Sequence, residues 1–157
     1  MLDYATRDLA LAIVHHLLIF ALAAALALEI GIVRSGLTRQ NILRVAKIDI
    51  SFGAFAAAIL LVGFSRAIFA AKGWAYYSIN AFFWAKIGTF AAVGLLSIGP
   101  TISFIRWRQA LKNDPAFVPS TQSIRGVTRF LWAEATLFAF IPAFAAAMAR
   151  GYGTLAR

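Results

Sequence analysis

Four long apolar segments alternate with short polar ones along the chain. They cover about residues 9–33, 48–71, 78–99 and 126–148, and each contains 22 to 25 residues. At ~1.5 Å rise per residue such a helix is about 33 to 37 Å long, enough to cross a hydrocarbon core of roughly 30 Å with some tilt. The pattern predicts an all-α, integral-membrane four-helix bundle in which residues 1–157 form a single domain.

Aromatic residues and prolines mark the ends of these segments. Trp74, Tyr76 and Tyr77 precede the third segment, as expected of an aromatic belt at the membrane interface. Pro100 is expected to stop or kink that helix, with residues 101–112 forming a helical extension into the headgroups. Pro142 predicts a kink in the fourth segment.

The composition agrees with burial in a membrane. The chain is 62% hydrophobic and 13% charged, with a formal net charge of +9, whereas soluble domains are about 25% charged. Because the basic residues lie mostly between apolar segments, we expect them to fix topology and to contact anionic headgroups, with no role in nucleic-acid binding. The sequence has no cysteine, which excludes disulfides, thiolate metal sites and cysteine nucleophiles.

The distribution of basic residues predicts an orientation. Loops 34–47 and 105–125, with Arg129 at the edge of the second, hold nine of the fifteen lysines and arginines. The positive-inside rule places both loops in the cytoplasm, so both termini face outward.

Four nitrogen side chains interrupt the apolar segments in the outer half of the predicted bilayer. They are His15, His16, Arg66 and Lys86, which lie about 8 to 12 Å below the outer face if each segment is helical. A buried lysine either pairs with an acid or loses its proton, and Asp8 is the one acid in this half. We therefore expect an anionic ligand, such as a carboxylate, to neutralise Lys86 and Arg66 together.

An acidic layer occupies the opposite half. It consists of Glu29, Asp49 and Glu134, with Arg129 nearby. We expect these four residues to close the inner end of the bundle by ion pairing. A proton path that links the two layers remains an alternative.

Helical spacing predicts which side chains face the bundle. Asp8, His15, Leu22 and Glu29 recur every seven residues and therefore share one stripe, while His16 is turned by ~100°. Adjacent histidines on one helix cannot be trans axial ligands of one haem iron. On the second segment the small residues of a similar stripe predict close packing against protein: Ala56, Gly63 and Ala70 follow Asp49 at seven-residue steps, with Gly53 and Ala67 close by.

Two strings of the sequence resemble known families. Residues 13–18 (IVHHLL) and 83–108, which begin FFWAKIGTF, resemble a family of small bacterial membrane proteins of unknown function. That resemblance implies four helices in the bacterial inner (plasma) membrane. A weaker similarity is to haem-binding membrane protoporphyrinogen oxidases and copper-resistance membrane proteins. It implies that His15 or His16 ligates haem b or another tetrapyrrole and that Lys86 matches their intramembrane lysine, although this chain has no histidine on a later helix.

Three functions remain open at this point. The first is a haem or tetrapyrrole protein, in which His15 or His16 binds iron while Arg66 and Lys86 hold carboxylates. The second is a non-enzymatic assembly partner or small carrier, in which the two histidines are interhelical hydrogen bonders. The third is a quinone site at His15 and Lys86. Since four short spans enclose little interior, a homodimer or a larger membrane complex would enlarge any site, and whether a reaction is catalysed stays open.

Overall fold

The structure is a computed structural model that describes residues 4–69 and 73–154. Five helices follow one another: α1 (Tyr4–Ser35), α2 (Arg39–Phe69), α3 (Gly73–Ser78), α4 (Ala81–Asn113) and α5 (Thr121–Ala149). All but the short α3 are long and apolar enough to cross a membrane. The predicted all-α fold with four spans is therefore confirmed.

Each long helix extends beyond its predicted span on the side of loops 34–47 and 105–125, so these loops are shorter than predicted. On the opposite side, α4 begins at Ala81, three residues later than predicted, because Ser78 belongs to α3. α1 and α2 are separated by only three residues, where Gly36 adopts a positive φ of 103° and the Thr38 hydroxyl accepts from the backbone of Asn41. Most of the predicted loop 34–47 is therefore helical, and only residues 114–120 of the predicted loop 105–125 lie between helices. The cause is that lysine and arginine favour helices, so their appearance marks the membrane boundary and does not mark the end of the helix.

Pro100 does not stop α4. The helix continues through this buried proline to Asn113, so the predicted stop is wrong and the predicted helical extension is confirmed. A proline is tolerated inside a membrane helix where packing against neighbouring helices compensates for the lost backbone hydrogen bond. α5 likewise continues through Pro142.

Asn80 connects the start of α4 to the segment that follows α5. This fully buried residue caps α4, because its side-chain oxygen accepts from the backbone N–H groups of Phe82 and Phe83 at 3.0 and 3.3 Å. Its amide nitrogen donates to the carbonyl of Tyr152 at 3.0 Å. The expected aromatic belt is carried by α3, whose Tyr76 hydroxyl donates to the carbonyl of Met148.

The four long helices form a ring. α1 packs against α2 and α5, and α4 packs against the same two helices. Helices that follow one another are antiparallel because the connections between them are short. The α1–α2 and α4–α5 connections consequently lie at one end of the bundle, which we call the loop end. The start of α1 and the end of α5 lie at the other end.

Seven-residue stripes point into this ring. On α2, Val45, Phe52 and Ile59 are buried, and Arg66 follows at the next step. The predicted α1 stripe is confirmed, since Leu22 and Glu29 are buried and His15 is half-buried. Such repeats are typical of left-handed bundles with knobs-into-holes packing.

The small-residue stripe of α2 is confirmed in part. Asp49 and Ala67 are buried and Ala56 and Gly63 are half-buried, whereas Gly53 is exposed and Ala70 lies outside the described residues.

Candidate functional site

Three of the predicted basic side chains converge at the end of the bundle opposite the loop end. His15 on α1 lies within electrostatic range of Arg66 on α2 and Lys86 on α4, and Arg66 lies within range of Lys86. All three side chains are half-buried. We refer to His15, Arg66 and Lys86 as the basic cluster, and its convergence agrees with the predicted basic layer.

His15 packs closely against α2 at Gly63. A Cβ atom on Gly63 would lie 3.2 Å from Cε1 and 3.7 Å from Nδ1 of the imidazole, so the ring occupies space that the missing side chain leaves open. The Nδ1 atom is buried and has no hydrogen-bond partner. An imidazole nitrogen held in place without a partner can accept a proton, donate one or ligate a metal.

Among the residues that the structure describes, no acid pairs with either cation of this cluster. Arg66 has a buried Nε without a hydrogen-bond partner, and the Lys86 ammonium lies 5.5 Å from the centre of the Phe83 ring. Asp8 is half-buried, but the structure shows no ion pair between it and either cation among the residues described. A cation–π contact offsets only part of the cost of desolvating an ammonium group. The described part of the chain therefore does not compensate the positive charge of the basic cluster.

His16 lies outside the basic cluster. It is exposed on α1, its ring stands edge-on to that of His15 at 6.2 Å, and its Nδ1 lies 2.6 Å from the carbonyl of Ala12. The predicted turn between the two histidines is confirmed. Of the two, His15 is the one that the fold directs at Arg66 and Lys86.

The predicted acidic residues also come together, in the half of the bundle nearer the loop end. Glu29 on α1, Asp49 on α2 and Glu134 on α5 interact electrostatically with one another, and they are only 2%, 7% and 1% exposed. The remaining long helix, α4, contributes Thr101, whose hydroxyl donates to Oδ1 of Asp49 at 2.7 Å. We call Glu29, Asp49 and Glu134 the acid cluster.

The ion pairing expected at this end is wrong. Arg129 is exposed on α5 and lines a surface depression with Arg125. The acid cluster has no basic partner among the described residues, and Oε1 of Glu29 and Oε1 of Glu134 are buried without any hydrogen-bond partner. The carboxyl groups are therefore held together by the helix packing and not by counter-charges.

A cleft of about 510 Å³ between α2 and α4 reaches the acid cluster from the side. Asp49 and Thr101 line it together with apolar residues such as Ile50 and Phe104. Arg108, Gln109 and Lys112 line the part nearest the loop end. The cleft is therefore a mainly apolar surface with polar groups at both of its ends.

An apolar middle separates the two clusters. Glu29 lies fourteen positions after His15 on α1, a distance of about 21 Å along the helix. The buried residues between them include Leu22, Leu26 and Val93. Among the described residues, no group of three or more histidines and acids is arranged to hold a metal ion.

Two contacts of these clusters were missed by sequence reasoning. The small-residue stripe of α2 predicts that Gly63 packs against a neighbouring helix, but it does not indicate that the contacting side chain is His15. Thr101 was assigned to the interfacial extension because Pro100 was expected to end the span. The depth of Thr101, fifteen residues beyond Lys86 on the same helix, is the signal that could have placed it beside the acids.

Comparison with known proteins gives one match. A family model described as a predicted membrane protein, DUF2214, matches residues 7–153. No curated protein matches the chain, and no solved structure does. The match covers all four long helices and both clusters.

Proposed function

This chain belongs to the DUF2214 family of predicted membrane proteins, and we propose that it binds a carboxylate-bearing tetrapyrrole through the basic cluster, with haem b as the first candidate. The observation that carries the proposal is the convergence of His15, Arg66 and Lys86 from three helices, with no acid among the described residues to neutralise them. An anionic ligand would supply the missing counter-charge. We further propose that the protein lies in a bacterial inner membrane with the loop end in the cytoplasm.

The residues present suit a tetrapyrrole in two respects. Arg66 and Lys86 are donors for carboxylates such as the propionates of haem. His15 has an unpartnered ring nitrogen, and histidine is a common axial ligand of haem iron. A bound haem would supply one-electron redox chemistry. Because His16 is exposed and points away from the cluster, His15 would be the histidine of this chain that holds the group.

The visible absorption spectrum tests the iron ligand. Protein purified in mild detergent from cells supplied with haem precursor is expected to show a Soret band of near-stoichiometric intensity that responds to reduction. Substitution of His15→Ala is expected to abolish most of this band, because it removes the ligand that faces the two cations.

His16→Ala is the matched control, since it removes an exposed imidazole next in sequence to His15. That variant is expected to keep its haem. A featureless spectrum of the wild-type protein, or full haem content in both single variants and in the double variant, would contradict the haem proposal.

A non-enzymatic assembly partner or carrier is the second candidate. Gly53 and Gly31 are exposed on α2 and α1, and open space surrounds the position of a Cβ atom at each. Exposed small residues let another membrane helix approach closely. If the protein shows no chromophore and retains another membrane protein through gentle extraction, this second function replaces the first.

A further inference from the structure

The acid cluster has features that burial for packing alone does not explain. Glu29 and Glu134 are at least 98% buried, and each has a carboxyl oxygen without a hydrogen-bond partner. An ionised carboxylate without a counter-charge is among the most costly groups to place in a low-dielectric interior. Three of them in electrostatic contact would multiply that cost, so the cluster needs a bound cation.

The proton is the cation that fits. The described residues provide no arrangement of three acids suited to a metal ion, and no lysine or arginine among them reaches the cluster. α1, α2 and α5 each contribute one carboxyl group, while α4 contributes only the hydroxyl of Thr101. Protons shared among the carboxyl groups would remove most of the negative charge without requiring additional space.

The cleft between α2 and α4 gives this site a connection to the outside. Asp49 belongs to both the acid cluster and the cleft wall, whereas Glu29 and Glu134 do not line the cleft. The polar residues Arg108, Gln109 and Lys112 line the cleft on the side of the loop end. Asp49 is therefore the carboxyl group of the acid cluster that faces the cleft.

We propose that the acid cluster is a proton-binding site which exchanges protons with the aqueous phase at the loop end through the α2–α4 cleft, with Asp49 as the entry group. The step is a proton transfer from hydronium or water to a carboxylate oxygen and back, and no other bond changes. This proposal rests on the acid cluster alone and stands whether or not the basic cluster binds a tetrapyrrole.

Labelling with dicyclohexylcarbodiimide tests the proposal. This apolar reagent adds to protonated carboxyl groups in apolar surroundings, and the stable adduct increases the mass of the peptide by one carbodiimide. With the folded protein in detergent at neutral pH, we expect an adduct on Glu29, Asp49 or Glu134 that decreases as the pH is raised. The exposed Asp114 in the α4–α5 loop is expected to stay unmodified.

Glycine variants test the route. Gly53 lines the cleft and has no atom within 4 Å of an added Cβ, so Gly53→Leu would fill the cleft without a clash at the Cβ position. We expect it to slow labelling at least fivefold. Gly31→Leu is the matched control, because Gly31 has equally open surroundings on α1 and lies outside the cleft. If Gly53→Leu fails to fold, Ile50→Phe, at another exposed position of the cleft wall, takes its place.

Three results would overturn the inference. The first is the absence of any adduct on the acid cluster in the folded protein. The second is labelling that does not change with pH, and the third is an equal rate in the Gly53→Leu and Gly31→Leu variants. Glu29→Gln, Asp49→Asn and Glu134→Gln locate the adduct, since the variant that removes the reactive carboxyl group also removes the mass increase.

Discussion

Replacing both Arg66 and Lys86 by methionine is expected to weaken tetrapyrrole binding by about a hundredfold to ten-thousandfold. Each cation would make a charge-assisted hydrogen bond to a carboxylate, and such a bond contributes about 1.5 to 3 kcal/mol. Two of them contribute about 3 to 6 kcal/mol, and each 1.4 kcal/mol corresponds to about a factor of ten in affinity. Methionine keeps much of the length of both side chains and removes only the charge and the donors.

The amount of haem that remains bound per protein after purification measures this effect. The same variant is expected to melt at an equal or higher temperature than the ligand-free wild type, because it removes two half-buried like charges that repel each other. Arg129→Met is the matched control, since Arg129 is exposed on α5 near the loop end, whereas the basic cluster lies towards the opposite end of the bundle. Haem retention in the double variant equal to that of the wild type would show that the two cations do not bind the ligand.

Phe104→Ala is expected to destabilise the bundle by about 3 to 5 kcal/mol, the usual cost of removing a buried phenylalanine side chain. Phe104 is 0% exposed on α4, and its ring contacts that of Trp107 with the two centres 5.6 Å apart. Association of membrane helices depends on such packing, because lipid is as apolar as the protein interior and offers no hydrophobic driving force. The cavity left by the substitution therefore removes contacts that nothing replaces.

Thermal unfolding in detergent, followed by circular dichroism, measures the loss. Phe20→Ala is the control, because Phe20 is 70% exposed and its ring would meet lipid or detergent in both the folded and the unfolded protein. We expect a change of less than about 1 kcal/mol for this variant. Equal destabilisation by the two variants would mean that Phe104 does not lie in the interior of the bundle.

The faces of the helices could be predicted from the sequence because a seven-residue repeat fixes which side chains share a stripe. That rule placed His15 and Glu29 on one interior face and turned His16 away from it. Counting residues along each helix placed the acids and the basic residues at different depths, since depth along a helix follows from residue number alone. Both clusters were therefore within reach of sequence reasoning.

Arg129 shows where the reasoning failed. Arg129 lies at nearly the same depth as the acids, which is the basis for the predicted ion pairing. However, it is five residues before Glu134, so the two side chains are turned by about 140° from each other around the helix. Glu134 is buried and Arg129 is exposed, as this angle requires. The depth of a residue along its helix is therefore not enough to predict an ion pair, because the direction of the side chain around the helix also matters.

The ends of the helices could not be predicted from the hydropathy pattern. That pattern indicates where a membrane span ends, but the helix continues beyond that point. Arg39, Arg44 and Lys47 lie outside the apolar segment but inside α2, since basic residues are good helix formers. Contacts between helices, such as that of His15 with Gly63, also depend on how the helices are rotated against each other. A single sequence contains no direct measure of that rotation.

The most direct test of the central claim is an equilibrium titration of the purified, ligand-free protein with protoporphyrin IX and with its dimethyl ester. The two probes share the macrocycle and contain no iron, so they differ only in their carboxylates. We expect the free acid to bind at least tenfold more tightly, and we expect this preference to disappear in the variant that lacks both Arg66 and Lys86. Equal affinity for the two probes, or tighter binding of the ester, would show that the basic cluster does not recognise carboxylates.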